Sequence, residues 1–281
     1  MHRRVEGRRP RSRTRDRRGR VAGGLLGLLV LLALVPRLVT SASPTDCRLD
    51  RSLDPPSAAH PFGVDLQGCD YLATTLAATR TSLTIAALVL VATTAVALVL
   101  GSLAGTFPGW PDALVSRAVD VWAGIPVVLG GVVLLSGTSD RGVPQVALVL
   151  AVFGWPAMVR VLRSSVLVTM QRDHVLAARA LGAGRWRVLV RHVLPLSVRP
   201  LLVFVSAYAG VIVAAEATLT FAGVGLQLPE ESWGIQLAQA RTRFSTAPHL
   251  LVVPAAFLTA TVLAFVLLGE ALRGRGPGER A

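Results

Sequence analysis

Six stretches of this 281-residue chain are apolar for long enough to cross a bilayer, which takes about 20 residues of helix each. They cover residues 21–39, 82–105, about 121–135, 143–162, 200–221 and 250–269. Within each, apolar side chains follow one another without the alternation of a strand or the single stripe of a soluble helix. A lipid-embedded backbone must satisfy its own hydrogen bonds, and stretches of this length do so as helices. The expected fold is an all-α polytopic membrane protein with six transmembrane helices. The third stretch is the weakest: Asp120 and Ser136 bracket it and Pro126 interrupts it, so a broken or tilted helix is expected there.

Basic residues set the orientation, because inner loops keep an excess of them. With the N-terminus inside, 22 of the 29 basic residues fall on the inner side and 7 on the outer. Both termini are then cytoplasmic. The chain divides into an Arg-rich tail (1–20), an N-terminal anchor (21–39), an extracytoplasmic segment (40–80), a membrane domain (81–272, spans two to six) and a short tail (273–281). The net charge of +13 thus marks orientation and contact with anionic lipid. A nucleic-acid arm is a poorer reading, since the basic start abuts the first span with no interleaved aromatics. That start, followed by Thr40-Ser41-Ala42-Ser43, also has the layout of a secretory signal; it is read here as an uncleaved anchor.

All 29 basic residues are arginine; lysine and asparagine are both absent, a pattern of coding bias. Its consequence is chemical. The chain has no lysine for a nucleotide-binding P-loop or for Schiff-base catalysis. The five histidines, at 2, 60, 174, 192 and 249, form no pair with ligand spacing, so no metal site is expected. No catalytic motif and no cofactor are expected either. The two cysteines, Cys47 and Cys69, both lie in the extracytoplasmic segment, as a disulfide in an oxidising compartment would. Two independent thiols are the other arrangement the sequence allows.

Between spans four and five lies a long cytoplasmic loop, 163–199. Asp173 can cap a short helix that closes at Gly182, and Leu176/Ala180 and Ala177/Leu181 give it a side rich in small residues. A second helix is expected from Arg185 to a brake at Pro195. Small residues let a partner approach closely, and the flanking arginines can reach its acidic groups. The physics alone allows two readings, a knob for a protein partner or an amphipathic helix on anionic lipid.

The loop resembles the coupling loop of ABC importer permeases, whose pattern is Glu-Ala-Ala, three residues, Gly, then Leu-Pro. Ala177, Ala178 and Gly182 match that spacing, and His192-Val193-Leu194-Pro195 closes it. More narrowly, Ala177-Ala178-Arg179-Ala180-Leu181-Gly182-Ala183 is similar to the second permease of the dipeptide/oligopeptide/nickel importer family. The resemblance continues through His60-Pro61-Phe62-Gly63-Val64-Asp65, Gly68-Cys69-Asp70 and Arg80-Thr81-Ser82-Leu83. It runs on through Asp120-Val121 with Pro126, Gly154-Trp155-Pro156, and Arg160 with Arg163. Downstream it takes in Glu216 to Gly225, Ser232-Trp233-Gly234, Ala247-Pro248 and Leu268 to Arg273. In all it covers about residues 60–273 in unbroken order. Departures are Leu176 for the loop Glu, Cys69 for an Arg, Val64 for a Thr, and Gly274-Arg275-Gly276-Pro277 for the usual Asp-Pro-Arg ending.

The resemblance implies a permease subunit for peptides, in the bacterial inner membrane. It implies pairing with a different second permease, two separate ATP-binding subunits on the coupling loop, and an extracytoplasmic substrate-binding protein. Asp173, Ala177, Ala178, Arg179, Gly182, His192, Leu194 and Pro195 would form the ATPase-coupling loop. Losing the Glu at Leu176 removes a charged contact there. The same architecture carrying nickel or another small solute, and a non-transporting membrane scaffold, are the alternatives.

Three residues are candidates for the translocation path. Glu216 is the acid placed well inside a span, where charge is costly enough to suggest a role; a structural hydrogen bond is its plainer explanation. Trp155 and Pro126 are the others, against helix packing and kinking. Asp120 with Arg117 reads as an interfacial ion pair, and Gly101 with Gly105 as a close helix contact.

Overall fold

The computed structural model describes residues 11–36 and 39–273. Residues 1–10 of the expected first tail, and 274–281 of the last, lie outside the described residues. All regular elements among the described residues are helical, with isolated bridges at Cys47–Cys69 and Val64–Asp70. The helices are α1 (Arg11–Leu34), α2 (Tyr71–Thr106), α3 (Trp110–Ala123), α4 (Val127–Ser136) and α5 (Val143–Met170). They continue with α6 (Asp173–Ala180), α7 (Arg185–Val188), α8 (Leu194–Phe221), α9 (Trp233–Ala240) and α10 (His249–Arg273). A 3-10 turn stands at Leu49–Arg51, and a π turn, Leu189–Val193, joins α7 to α8.

Four helices are long and apolar enough to cross a membrane: Tyr71–Thr106, Val143–Met170, Arg185–Phe221 and His249–Arg273. The weak third span is broken, as its proline suggested. α3 and α4 make a fifth crossing only as a pair bent by 79°. Pro126 lacks the N–H that would continue α3 and disfavours helix at Ile125 before it. The first expected span is shorter than its apolar block, because the apolar part of α1 is Gly19–Leu34.

Two other boundaries differ from the hydropathy reading for local reasons. α2 starts at Tyr71, well before residue 82, because Asp70 caps it by accepting from Ala73 N at 2.8 Å. Tertiary bonds hold this polar first part: Tyr71 Oη donates to Leu250 O at 2.7 Å and Gln236 Nε2 to Thr75 Oγ1 at 3.4 Å. Pro195 is not a brake. Leu194 N–H reaches back five residues to Leu189 O, so the wide π turn absorbs the position where proline has no N–H to give, and the helix runs on.

The α2–α5 pair is the most extensive contact in the bundle. Glycine makes it close: a Cβ on Gly101 would sit 3.1 Å from Leu162 Cβ, and one on Gly105 2.6 Å from Val166 Cγ1. Two apolar clusters fill the bundle. One gathers Ile85, Val89, Leu150, Ile212, Leu219 and Trp233. The other gathers Met158, Val159, Leu162, Val166 and Leu201 with Val175 and Val188. The chain order then sets two faces. The starts of α2, α5 and α10 share one with the cysteines, and α6 and α7 occupy the opposite one.

Candidate functional site

The knob is built from the second cluster outward. Val175 and Val188 are fully buried and pin α6 and α7 to the bundle. Arg172, not Asp173, is the N-cap residue; Asp173 is the first helical residue and makes no capping bond, where its charge still suits the helix dipole. α6 closes in a Schellman pattern: Ala183 N bonds Ala178 O at 3.1 Å and Gly182 N bonds Arg179 O at 3.0 Å. Gly182 has φ +85° with nothing within 4 Å of a Cβ placed on it. The closure turns Leu181 outward to 89% exposure, beside exposed Leu176, Ala177, Arg179 and Trp186. Ala178 is half-buried. His192 and Leu194 are half-buried and Pro195 exposed at the π turn, where α7 becomes α8.

At the other face, the structure joins Cys47 and Cys69 in a disulfide. The segment around it combines a small apolar cluster, Leu53, Phe62 and Leu66 against Tyr71 and Leu250, with a set of hydrogen bonds. His60 Nδ1 pairs with the Asp70 carboxylate at 2.7 Å, and Asp65 Oδ1 accepts from Gln67 N and Cys69 N, both at 2.8 Å. Gly63 stands at φ +79°, a conformation that suits glycine, and a Cβ there would lie 2.8 Å from Asp54 O. Between this segment, the end of α1, the start of α2 and the loop before α9 opens a cavity of about 960 Å³. Arg80, Thr81, Thr84, Glu230 and Glu231 are among its lining residues.

Burial, with a smaller contribution from the charge of Asp65, pushes the Glu231 carboxyl from its ordinary 4.5 up to about 7. Burial also raises Asp65, against the backbone N–H groups that hold its anion. A raised acid stabilises the fold most below its ordinary pKa, and that contribution is lost as pH rises through the folded value. The variant Glu231→Gln should therefore show slower hydrogen exchange than the parent across residues 64–71 near pH 8, and no difference near about pH 4. Equal exchange at both values contradicts the buried-acid assignment.

Glu216 is fully buried. Its carboxylate accepts from Ser82 Oγ at 3.1 Å, Thr220 Oγ1 at 3.0 Å and the Ser232 hydroxyl. Each hydroxyl in turn accepts a backbone N–H: Ser82 from Trp233, Thr220 from Leu226 and Ser232 from Ile235. The acid is the hub that ties α2 and α8 to the loop and the start of α9. Gly234 permits this closeness, as a Cβ there would lie 2.6 Å from Thr220 Cβ.

Trp155 and Pro126 sit elsewhere, each beside Trp122. Trp155 lies 6.2 Å, ring to ring, from Trp122, whose Nε1 donates to Val152 O at 2.5 Å, and Pro126 follows Trp122 by one turn at the bend. Neither is among the Glu216 partners. The partner of Asp120 is Arg160, at 3.3 Å, and not Arg117. Asp112 and Arg163 form a two-point pair at 2.5 and 2.8 Å. Spacing along one helix favoured Arg117, but α3 lies against α5, and the tertiary partner wins. Sequence reading missed the Asp112–Arg163 pair, the cavity and the Ser232 anchor, all of which join residues far apart in the chain.

Residues 97–275 match the family described as binding-protein-dependent transport system inner membrane component. Among curated proteins, the chain is 37% identical over 224 residues to the glutathione transport system permease protein GsiD of Pectobacterium atrosepticum, covering 80% of this chain and 74% of that one. It is 34% identical over 258 residues to GsiD of Escherichia coli O6:K15:H31, covering 88% and 81%. Among solved structures, a chain from the crystal structure of an amino acid ABC transporter with histidines superposes with a TM-score of 0.54. That match has 15% identity and covers 69% of this chain and 90% of the other; it bears on the fold.

Proposed function

The chain belongs to the family of binding-protein-dependent transport system inner membrane components, and from that premise we propose that it is the peptide-carrying permease subunit of an ABC importer. It pairs with a second, different permease, takes cargo from an extracytoplasmic binding protein, and is driven by two separate ATP-binding subunits. Six crossings, with α1 and the bent α3–α4 pair counted as one each, put both termini and the knob on the cytoplasmic side. The arginine distribution supports that orientation.

The observation that carries the reading is the knob. Its inner side is locked into the bundle by Val175 and Val188, while its exposed surface mixes Leu176 and Leu181 with Arg172, Asp173 and Arg179. A helix lying on lipid needs one apolar face. Here Val175 and Val188 face the bundle, and the exposed side interleaves Leu176 and Leu181 with charged side chains instead of segregating them, which suits a protein groove. Leu176 there exchanges the family's charged contact for an apolar one. Trp155 and Pro126 are proposed to line the path, and Glu216 to hold its outer wall in position. Two relatives named for glutathione, a small peptide, support the substrate class. Uptake of labelled short peptides, glutathione included, by cells with and without the gene tests it. Uptake lost with the gene is expected; unchanged uptake of every peptide removes the substrate assignment.

A further inference from the structure

The knob meets the bundle by several routes. The chain joins it to α5 through residues 171–172 and to α8 through the π turn, and Val175 and Val188 pack into the second cluster. A further contact is made at the corner between α2 and α3. Phe107, the residue that ends α2, packs on Trp186 with ring centroids 5.2 Å apart and planes tilted by 53°. The Arg185 guanidinium lies 5.9 Å from the centre of the same ring, within reach of the ring's negative face. α7 therefore holds Phe107 by both of its first two side chains.

Two residues, Pro108 and Gly109, separate that corner from α3. Phe107 N–H still bonds Leu103 O at 3.0 Å, and α3 begins three residues later at Trp110. Asp112, in its first turn, grips Arg163 at two points. On the α2 side of the corner, Gly105 would bring a Cβ within 3.1 Å of Arg163 O. Beyond, α3 leads to Trp122, the Trp155 contact and the bend at Pro126.

We propose that Phe107 is a positioning residue that carries displacement of the knob into the bent α3–α4 pair, in parallel with the direct route through α8. The proposal rests on the knob being the contact for the ATP-binding subunits. Packed side chains with discrete arrangements transmit such displacements better than a flexible corner would. Two helices on the path then move together instead of one.

The test uses the complete transporter, with both permeases, the ATP-binding subunits and the binding protein, in vesicles. The readout is solute carried per ATP hydrolysed. Phe107→Ala is expected to keep its ATP-binding subunits and its hydrolysis while transport per ATP falls about fivefold or more, an ordinary coupling factor. Phe107→Tyr, which keeps the ring, should restore it. Parent-like transport per ATP in Phe107→Ala overturns the proposal. Should that variant fail to assemble, F107C combined with W186C decides, because the natural cysteines are tied to each other at the opposite face. A short cross-linker across the new pair should recover transport per ATP, and no recovery overturns the proposal. A parent chain that binds no ATP-binding subunit is a different result, and it removes the knob reading itself.

Discussion

Glu216→Leu should leave a chain that inserts but does not hold its outer half together, with a loss of about 3 kcal/mol or more. Three hydroxyls lose their common acceptor at once, and each is buried where no water can replace it. The N–H groups of Leu226, Trp233 and Ile235 depend on those hydroxyls, so the loop before α9 should loosen with them. Glu216→Gln keeps one acceptor oxygen and should cost nearer 1 kcal/mol. Thermal unfolding of the purified variants measures both. The pair also separates two roles. A positioning acid loses transport in proportion to stability, whereas an acid that binds the solute's ammonium group loses transport in Glu216→Gln with little loss of stability.

The second large effect is expected at Gly182. Its φ of +85° suits glycine, and a Cβ there meets nothing within 4 Å. A substitution is therefore strained but not blocked, at about 1–2 kcal/mol. Gly182→Asp should leave membrane insertion intact, because Val175 and Val188 still anchor the knob. What it should disturb is the Schellman closure that turns Leu181 outward. Transport is expected to fall about tenfold or more, as for loss of an ordinary coupling contact. Gly182→Asn, which tolerates the left-handed conformation better, should fall less. Equal transport in all three chains, measured as uptake at matched membrane levels, contradicts the role given to the knob.

How much of this was legible in the sequence depends on the range of the interaction. The apolar blocks located the long helices, because burial in lipid is a property of the segment itself. The knob was equally legible: its glycine closure and small-residue side are local features, and Gly182 closes the helix much as the sequence suggested. The failures are those of local rules meeting tertiary structure. Pro195 should stop a helix, yet a π turn at Leu189–Val193 carries the chain past it. Asp173 is a good capping residue, yet Arg172 takes that place. Asp120 has Arg117 on its own helix and pairs with Arg160 on another. The roles of Ser82, Ser232 and Trp233 around Glu216 were invisible, since a hydroxyl 134 residues away leaves no periodic signal.

The role of the knob depends on its engaging an ATP-hydrolysing partner. Affinity purification of the tagged chain from its native membrane, with the co-purifying subunits identified by mass spectrometry, measures this directly. The predicted result is recovery of a second permease and ATP-binding subunits with the parent chain, with the ATP-binding subunits reduced on Gly182→Asp. Recovery of the intact chain with no ATP-binding subunit would contradict it.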